Sequence, residues 1–360
     1  MAIGRRGLLK GGAIGAVAAA SAFPKPAISQ GRRRWKMVTA WPKNFPGLGM
    51  AANDIGREIS TMSEGRLEVK VYGAGEIVPA FEVFDAVRGG VAEMGHAADL
   101  YWLSKHPGFA FTGGVPNGLS GHEQIAWLLH GGGRELWDEL YAGFGMRVFL
   151  AGVAPPSLFG WYREPIGSLA DFKGLKIRQA GLPGEVVSRM GGTGINLPAG
   201  EIMPALQSGV IDAAEWGGPW TDLAFGFYKV TRYAYWPGIH EPGPVNGLMV
   251  NTEAFDGLPN DLQEMVRVTA HKAALRVFTE VSAHNITSYE VLKNEHGVTF
   301  ASLPDDVLAA FIEHADAAVR DTAAKDPLAQ RLHDSMAAYR ARSHNMADLS
   351  ERGFLSARKA

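Results

Sequence analysis

The chain has 360 residues, 46% of them hydrophobic and 20% charged, with a formal net charge of −2. That length suits two lobes of ordinary domain size, and that composition excludes wholesale disorder. The lack of cysteine excludes disulfides, thiolate metal sites and cysteine nucleophiles, and the balanced charge leaves no nucleic-acid footprint.

The first element is the N-terminus. Arg5, Arg6 and Lys10 precede an uncharged run from Gly11 to Phe23, which Pro24-Lys25-Pro26 breaks before the small residues of Ala27-Ile28-Ser29. Basic, apolar, small is the order of a signal peptide, predicted here over 1–29. The apolar run is shorter than the roughly 20 residues a membrane span needs. Arg5-Arg6-Gly7-Leu8-Leu9-Lys10 resembles a twin-arginine export signal, with Gly4 where a polar residue is usual. Ordinary Sec signals also carry arginine, so either route to the periplasm is open, with the twin-arginine route preferred. Elsewhere charge, glycine or proline interrupts every apolar run, so no further membrane span is predicted.

Strands and helices then alternate. Trp35 to Ala40 reads as a strand and Ala51 to Met62 as a helix, with Ile55, Ile59 and Met62 at helical spacing. Leu67 to Tyr72 alternates as a second strand, Val78 to Arg88 is a helix stopped by Gly89-Gly90, and Val91 to Gly95 is a short buried strand. This βαβαβ order predicts an α/β sheet. The last third differs. Asp261 to Asn294 and Asp305 to Arg342 are long Ala-rich helical stretches, the second broken or kinked at Pro327, with a small strand at 297–300 between them.

One internal echo organises the chain. Ala86-Val87-Arg88-Gly89-Gly90-Val91-Ala92-Glu93-Met94-Gly95-His96 aligns with Ala205-Leu206-Gln207-Ser208-Gly209-Val210-Ile211-Asp212-Ala213-Ala214-Glu215. Each copy is a helix end, a glycine stop, a short apolar strand and a turn. Two such units far apart suggest two similar lobes, although helix–Gly–strand is a common connection. In open α/β sheets ligands sit beyond the carboxyl ends of strands. His96 to Trp102 and Glu215-Trp216 are therefore expected to face one cleft.

Several separated segments carry a resemblance. Ser168-Leu169-Ala170-Asp171-Phe172-Lys173-Gly174-Leu175-Lys176-Ile177-Arg178 and the second echo copy resemble the signature of TRAP-transporter solute-binding proteins. Thr39 to Gly47, Tyr72 to Glu76, Phe84 to Val87 and Tyr235 to Gly243 are similar to the branch that binds 2-oxo acids and related monocarboxylates. The resemblance covers nearly all of the chain after residue 29. It implies an α/β, two-lobed periplasmic binding protein fold with crossing strands and long C-terminal helices. The implied division is 30–154 for the first part of lobe I, 155–243 for lobe II, 244–300 for a return to lobe I with a connecting helix, and 301–360 for a C-terminal helical region. It further implies a small organic acid as ligand, an ion-driven TRAP permease of two membrane proteins as partner, and a homodimer paired through a long C-terminal helix.

Arg178 ends the alternating stretch Leu175 to Arg178. A guanidinium offers a carboxylate two parallel N–H bonds, which lysine cannot. From pattern alone it reads first as a surface ion-pair partner; the resemblance implies the substrate clamp. Glu215-Trp216 ends a buried strand, where a carboxylate needs a cation or an arginine to stay ionised. The bland alternative is a helix-capping Glu beside a core Trp. The resemblance implies that Glu215, Trp216 and Glu241 surround a hard cation, Na+ or Ca2+, that bridges to the acid. Tyr101, in Leu100-Tyr101-Trp102, is either a pocket wall bonding a ligand oxygen or plain packing. Ser157 stands where relatives carry a metal- and ligand-binding glutamine, which puts both the cation and the substrate in question.

No catalytic residue and no organic cofactor is expected. The sequence holds no H-E-x-x-H, no G-x-S-x-G and no S-x-x-K with its companions. His240-Glu241 is the nearest thing to an acid/base pair, but neighbours on an extended segment point apart. A binding module that signals to a membrane receptor is the other alternative.

Overall fold

The computed structural model describes residues 31–156 and 158–358, so the predicted signal segment 1–29 and Ser157 lie outside the described residues. Eleven strands follow in chain order: β1 Arg33–Thr39, β2 Leu67–Tyr72, β3 Met94–Ala98, β4 Met146–Val153, β5 Gly160–Tyr162, β6 Lys176–Arg178, β7 Thr193–Ile195, β8 Ala213–Ala214, β9 Tyr233–Trp236, β10 Val245–Asn251 and β11 Thr299–Ser302. They form two sheets, ordered β2-β1-β3-β10-β4 and β11-β9-β5-β8-β6-β7. The chain thus builds two α/β lobes and crosses between them at β4 to β5 and again at β9 to β10.

The predicted opening is met. β1, β2 and β3 pair in parallel around the helix Leu48–Met62, which buries Ala52, Ile55 and Ile59 against them. The third strand begins at Met94, three residues later than predicted. Gly90 turns the chain at φ 73°, Val91 N–H folds back onto the Ala86 carbonyl at 2.8 Å, and Val91 stays 47% exposed. The echo repeats this. Gly209 has φ 75°, Val210 N–H bonds the Ala205 carbonyl at 3.0 Å, and β8 begins at Ala213, the counterpart of Met94. A left-handed residue after a helix is cheap only without a Cβ, which is why both copies carry glycine there.

The helix Asn260–Asn294 runs unbroken for 35 residues and packs on β4, on Leu48–Met62 and on the helix Pro219–Phe225, tying the lobes together. The small strand predicted at 297–300 is β11, parallel to β9 in the second sheet. Pro327 starts a new helix, Pro327–Leu349, whose N-cap Asp326 accepts from Leu328 and Ala329 N–H at 2.7 and 3.1 Å. Proline fits a first helical turn because its missing N–H would go unpaired there. Asp305–Ala323 packs on the second lobe's helix Gly181–Arg189, whereas Pro327–Leu349 packs on helices of the first lobe. No helix among the described residues is long and apolar enough to cross a membrane.

Candidate functional site

β6 and β8 lie side by side, and their register sets Arg178 opposite Ala214. Glu215 follows at once, so its N–H reaches the Arg178 carbonyl at 3.2 Å. The side chains then meet. Arg178 Nη1 donates to Glu215 Oε1 at 2.5 Å and to the Glu215 carbonyl at 2.8 Å, while Nε donates to the Leu197 carbonyl at 3.1 Å. Both residues are 2% exposed. Nη2 is the amino group left for another oxygen, and the Tyr101 hydroxyl sits beside this guanidinium.

His240 Nε2 lies 3.4 Å from Glu215 Oε2. Atoms of Glu215, His240 and Glu241 capable of holding a cation lie within 4.8 Å of one another. This corrects the expectation that His240 and Glu241 point apart. Residues 237–240 form a turn after β9 instead of continuing the strand, so both side chains reach Glu215.

Burial pushes the Glu215 carboxyl up, but Arg178 and then His240 outweigh it, and the net position is below the usual carboxylate range. Glu241 goes the other way: burial and the Glu215 charge hold it well above that range. The cluster therefore has one carboxylate firmly ionised and a second that resists ionisation. Burial also raises the Tyr101 hydroxyl to about 12, so it is neutral and able to donate.

These groups wall a cavity of about 70 Å³ at the seam of the lobes, with Arg178, Trp216 and Glu241 from the second lobe and Trp41, Tyr101 and Asn246 from the first. Apart from Thr221, its remaining side chains are apolar, including Leu48, Val277 and Val281. A single water needs about 10–15 Å³ of such space, so the cavity suits a small ligand. Trp216 links the lobes: the Arg178 guanidinium lies 5.1 Å from its ring centroid, and Trp41 meets it edge-on at 6.2 Å. Trp41 is held in turn by its indole N–H, which donates to His96 Nδ1 at 2.9 Å. Burial keeps His96 down to about 4, so it is neutral and can accept.

The turn after Glu215-Trp216 is pinned by Asp222, which is 1% exposed. Its carboxylate accepts from the Gly217 and Gly218 N–H groups at 3.3 and 3.2 Å and from Trp161 Nε1 at 2.7 Å.

Of the predicted site residues, Arg178, Tyr101, Trp216 and Glu241 line the cavity, Glu215 stands behind Arg178, and Ser157 lies outside the described residues. Sequence reasoning did not single out Trp41, Asn246 or Asp222, and it weighed His240 only as an acid/base neighbour of Glu241, not as a partner of Glu215. Trp41 stood within a segment of the resemblance; Asn246 and Asp222 carried no local signal.

Two α/β lobes that meet on a small cavity, with a buried arginine and a carboxylate cluster at the seam, define a bilobal binding protein. The family described as bacterial extracellular solute-binding protein, family 7, matches residues 37–326, and the chain belongs to that family, as a TRAP-type solute-binding protein. Its sequence is 40% identical over 252 residues to the monocarboxylate 2-oxoacid-binding periplasmic protein of Nostoc sp. (strain PCC 7120), a match covering 70% of this chain and 69% of that one. Its fold is similar to a TRAP periplasmic solute-binding protein of Pseudoalteromonas atlantica with bound sodium and pyruvate, at TM-score 0.88 and 33% identity, covering 91% of this chain and 100% of that one. A TRAP solute-binding protein of Bordetella bronchiseptica, a mixed-occupancy dimer with calcium and picolinate, superposes at TM-score 0.88 with 29% identity, covering 90% of this chain and 96% of that one.

Proposed function

We propose that this protein captures a small 2-oxo or 2-hydroxy monocarboxylate between its lobes and delivers it to a TRAP permease. The observation that carries the reading is the cavity of about 70 Å³ beside the buried Arg178 guanidinium. Arg178 grips the carboxylate through Nη2, Tyr101 donates to the 2-oxygen, and Trp216 forms a flat wall. The proteins compared above bind pyruvate and picolinate with a cation, which supports the ligand class.

Two carboxylates and an imidazole within 4.8 Å fit a hard cation such as Na+ or Ca2+, with Glu215 and Glu241 as the oxygen donors and Trp216 beside them. Such an ion would supply positive charge facing the ligand's oxygens, so that a net-acidic protein can bind an acid. The remaining readings belong to the same proposal. The lobes are 30–154 with a return through 244–300, whose connecting helix leads to β11 in the second sheet, and 155–243, with 301–360 as a helical region. The chain is exported through its twin-arginine segment, and it pairs as a homodimer, a reading the Bordetella dimer supports.

Calorimetry of the mature chain with pyruvate, lactate and picolinate, in Na+, Ca2+ or choline buffer, tests the site. Binding of at least one acid that weakens when both cations are withheld is expected. Saturation by none of them, while the protein melts cooperatively, would discard the ligand class. Replacing Arg5 and Arg6 by Lys should leave unprocessed precursor in the cytoplasm. Normal export of that variant would assign the Sec route instead.

A further inference from the structure

Phe45 and Phe225 meet across the seam of the lobes. Phe45 lies in the loop 42–47 between β1 and the helix Leu48–Met62 of the first lobe. That loop is held by local hydrogen bonds. Asn44 takes the left-handed conformation, φ 59°, and its Oδ1 accepts from Asn53 Nδ2 at 2.9 Å. Phe45 N–H donates to the Pro42 carbonyl at 3.1 Å, and the Phe45 carbonyl accepts from Met50 N–H at 3.0 Å. Phe225 ends the helix Pro219–Phe225 of the second lobe. Gly226 then turns the chain at φ 78°, a conformation cheap only without a Cβ. The turn stacks Phe225 on Phe227, with centroids 5.1 Å apart and planes 3° from parallel, and Phe227 is fully buried in that lobe's core.

The rings of Phe45 and Phe225 lie 4.4 Å apart between centroids. Both also touch Trp216 edge-on, Phe225 at 5.2 Å from the same lobe and Phe45 at 6.2 Å from the other. Trp216 is thereby held among Trp41 and Phe45 of the first lobe and Phe225 of the second. Neither phenylalanine lines the cavity, so a ligand there touches neither. Both stay half-buried while in contact. Their contact joins two lobes, so it is made when the lobes close and lost when they part. An aromatic pair adds roughly 2- to 10-fold to an equilibrium constant beyond the area it buries.

We propose that Phe45 and Phe225 form an aromatic clasp across the seam, a pair of positioning residues that hold the lobes shut and seat Trp216, and so set how long a bound acid is retained. This rests on the reading of the cavity as a monocarboxylate site. A ligand that binds only closed lobes has its affinity scaled by the fraction closed. Weakening the clasp lowers that fraction, so every acid loses affinity by one common factor. A residue that touches the ligand would instead penalise some acids more than others. The loss falls mainly on dissociation, because opening is the step the clasp resists.

Calorimetry and stopped-flow dissociation with pyruvate, lactate and picolinate test the clasp. Phe45→Ala should weaken each acid that wild type binds by about 3- to 10-fold, by a common factor, and speed its release to a similar extent. Phe45→Tyr, which keeps the ring, should recover most of that loss. Adding Phe225→Leu to Phe45→Ala should cost little more than Phe45→Ala alone, since both remove one contact. Phe45→Leu, which keeps apolar bulk and loses the ring, serves if the alanine variant does not fold. Wild-type affinity and release in a folded variant would overturn the clasp and leave the monocarboxylate reading standing. A loss that differs widely from acid to acid would overturn it too. Failure of wild type to bind any of the three acids would remove both.

Discussion

At the residue scale, Arg178 has two duties that pull apart under mutation. It faces the cavity, and it neutralises Glu215, whose carboxylate is 2% exposed. Losing a hydrogen-bonded charge partner in a buried site costs about 2–5 kcal/mol of binding, roughly 30- to several-thousand-fold in affinity. Arg178→Lys should recover little, because one ammonium cannot serve Leu197, Glu215 and a ligand at once. Arg178→Ala also strands a buried carboxylate, a defect worth about 3–5 kcal/mol of stability. The double variant Arg178→Ala with Glu215→Gln should therefore melt higher than Arg178→Ala alone and still fail to bind. A folded Arg178→Ala protein with wild-type affinity would end the clamp. Arg178 was legible because it closes a short alternating strand within a recognisable segment. His240 was not, since its role depends on a turn that brings it 3.4 Å from a residue 25 positions earlier. Asn246 was illegible for a similar reason: a register slip between distant strands exposes it to the cavity.

At the scale of elements, β1, β2 and β3 were read within a few residues because each sits between glycine stops and helical spacing, whereas β4 and β10, which complete that sheet, were not read. The two-residue β8 is too short to show any period, and only its likeness to the first echo copy marked it. The turn that follows depends on Asp222, and this gives a pH prediction. Burial pushes the Asp222 carboxyl up to about 7 from its ordinary 3.8, despite three N–H donors. A carboxyl raised in the folded state holds its proton there longer than in the unfolded chain, so stability falls as pH rises through that value. His96 acts in the opposite sense. Held down to about 4, it lends stability that grows as pH rises and is complete above about 6.5. Above pH 6.5 His96 has stopped contributing, and Asp222, with Glu241 acting in the same sense, should cost wild type about 1 kcal/mol or more by pH 8, or at least ~2 °C in melting temperature. Asp222→Asn should melt lower overall, since its amide faces N–H donors, yet fall less than wild type across that window. A wild-type melting point that rises between pH 6.5 and 8 would contradict the assignment. The same variant should weaken acid binding, because Gly217 and Gly218 hold the turn carrying Glu215 and Trp216.

At the scale of the whole molecule, the C-terminal helices leave apolar surface with no partner on their own chain. Met346, Leu349, Phe354 and Leu355 are 57%, 83%, 61% and 53% exposed, gathered where Pro327–Leu349 gives way to the short helix Glu351–Ala357. Fully burying one such side chain is worth about 1.5–3 kcal/mol, so four held in water by a monomer represent a large unused driving force. In the proposed homodimer a second copy would cover them symmetrically, since a two-fold axis through this end matches the patch to itself. The stretch Asp305 to Arg342 is divided at Pro327, as its sequence led one to expect, and the pairing end of the proposed dimer is therefore the second helix alone. Sedimentation of the mature chain should give one species of twice the chain mass. Leu349→Lys combined with Phe354→Glu should give the single chain, because charge placed on both copies is buried without a partner. None of these residues lines the cavity, so the dissociated variant should bind its acid with wild-type affinity. A wild-type protein that sediments as one chain at micromolar concentration would discard the pairing, and a dissociated variant that loses acid binding would show instead that the partner copy helps hold the lobes closed.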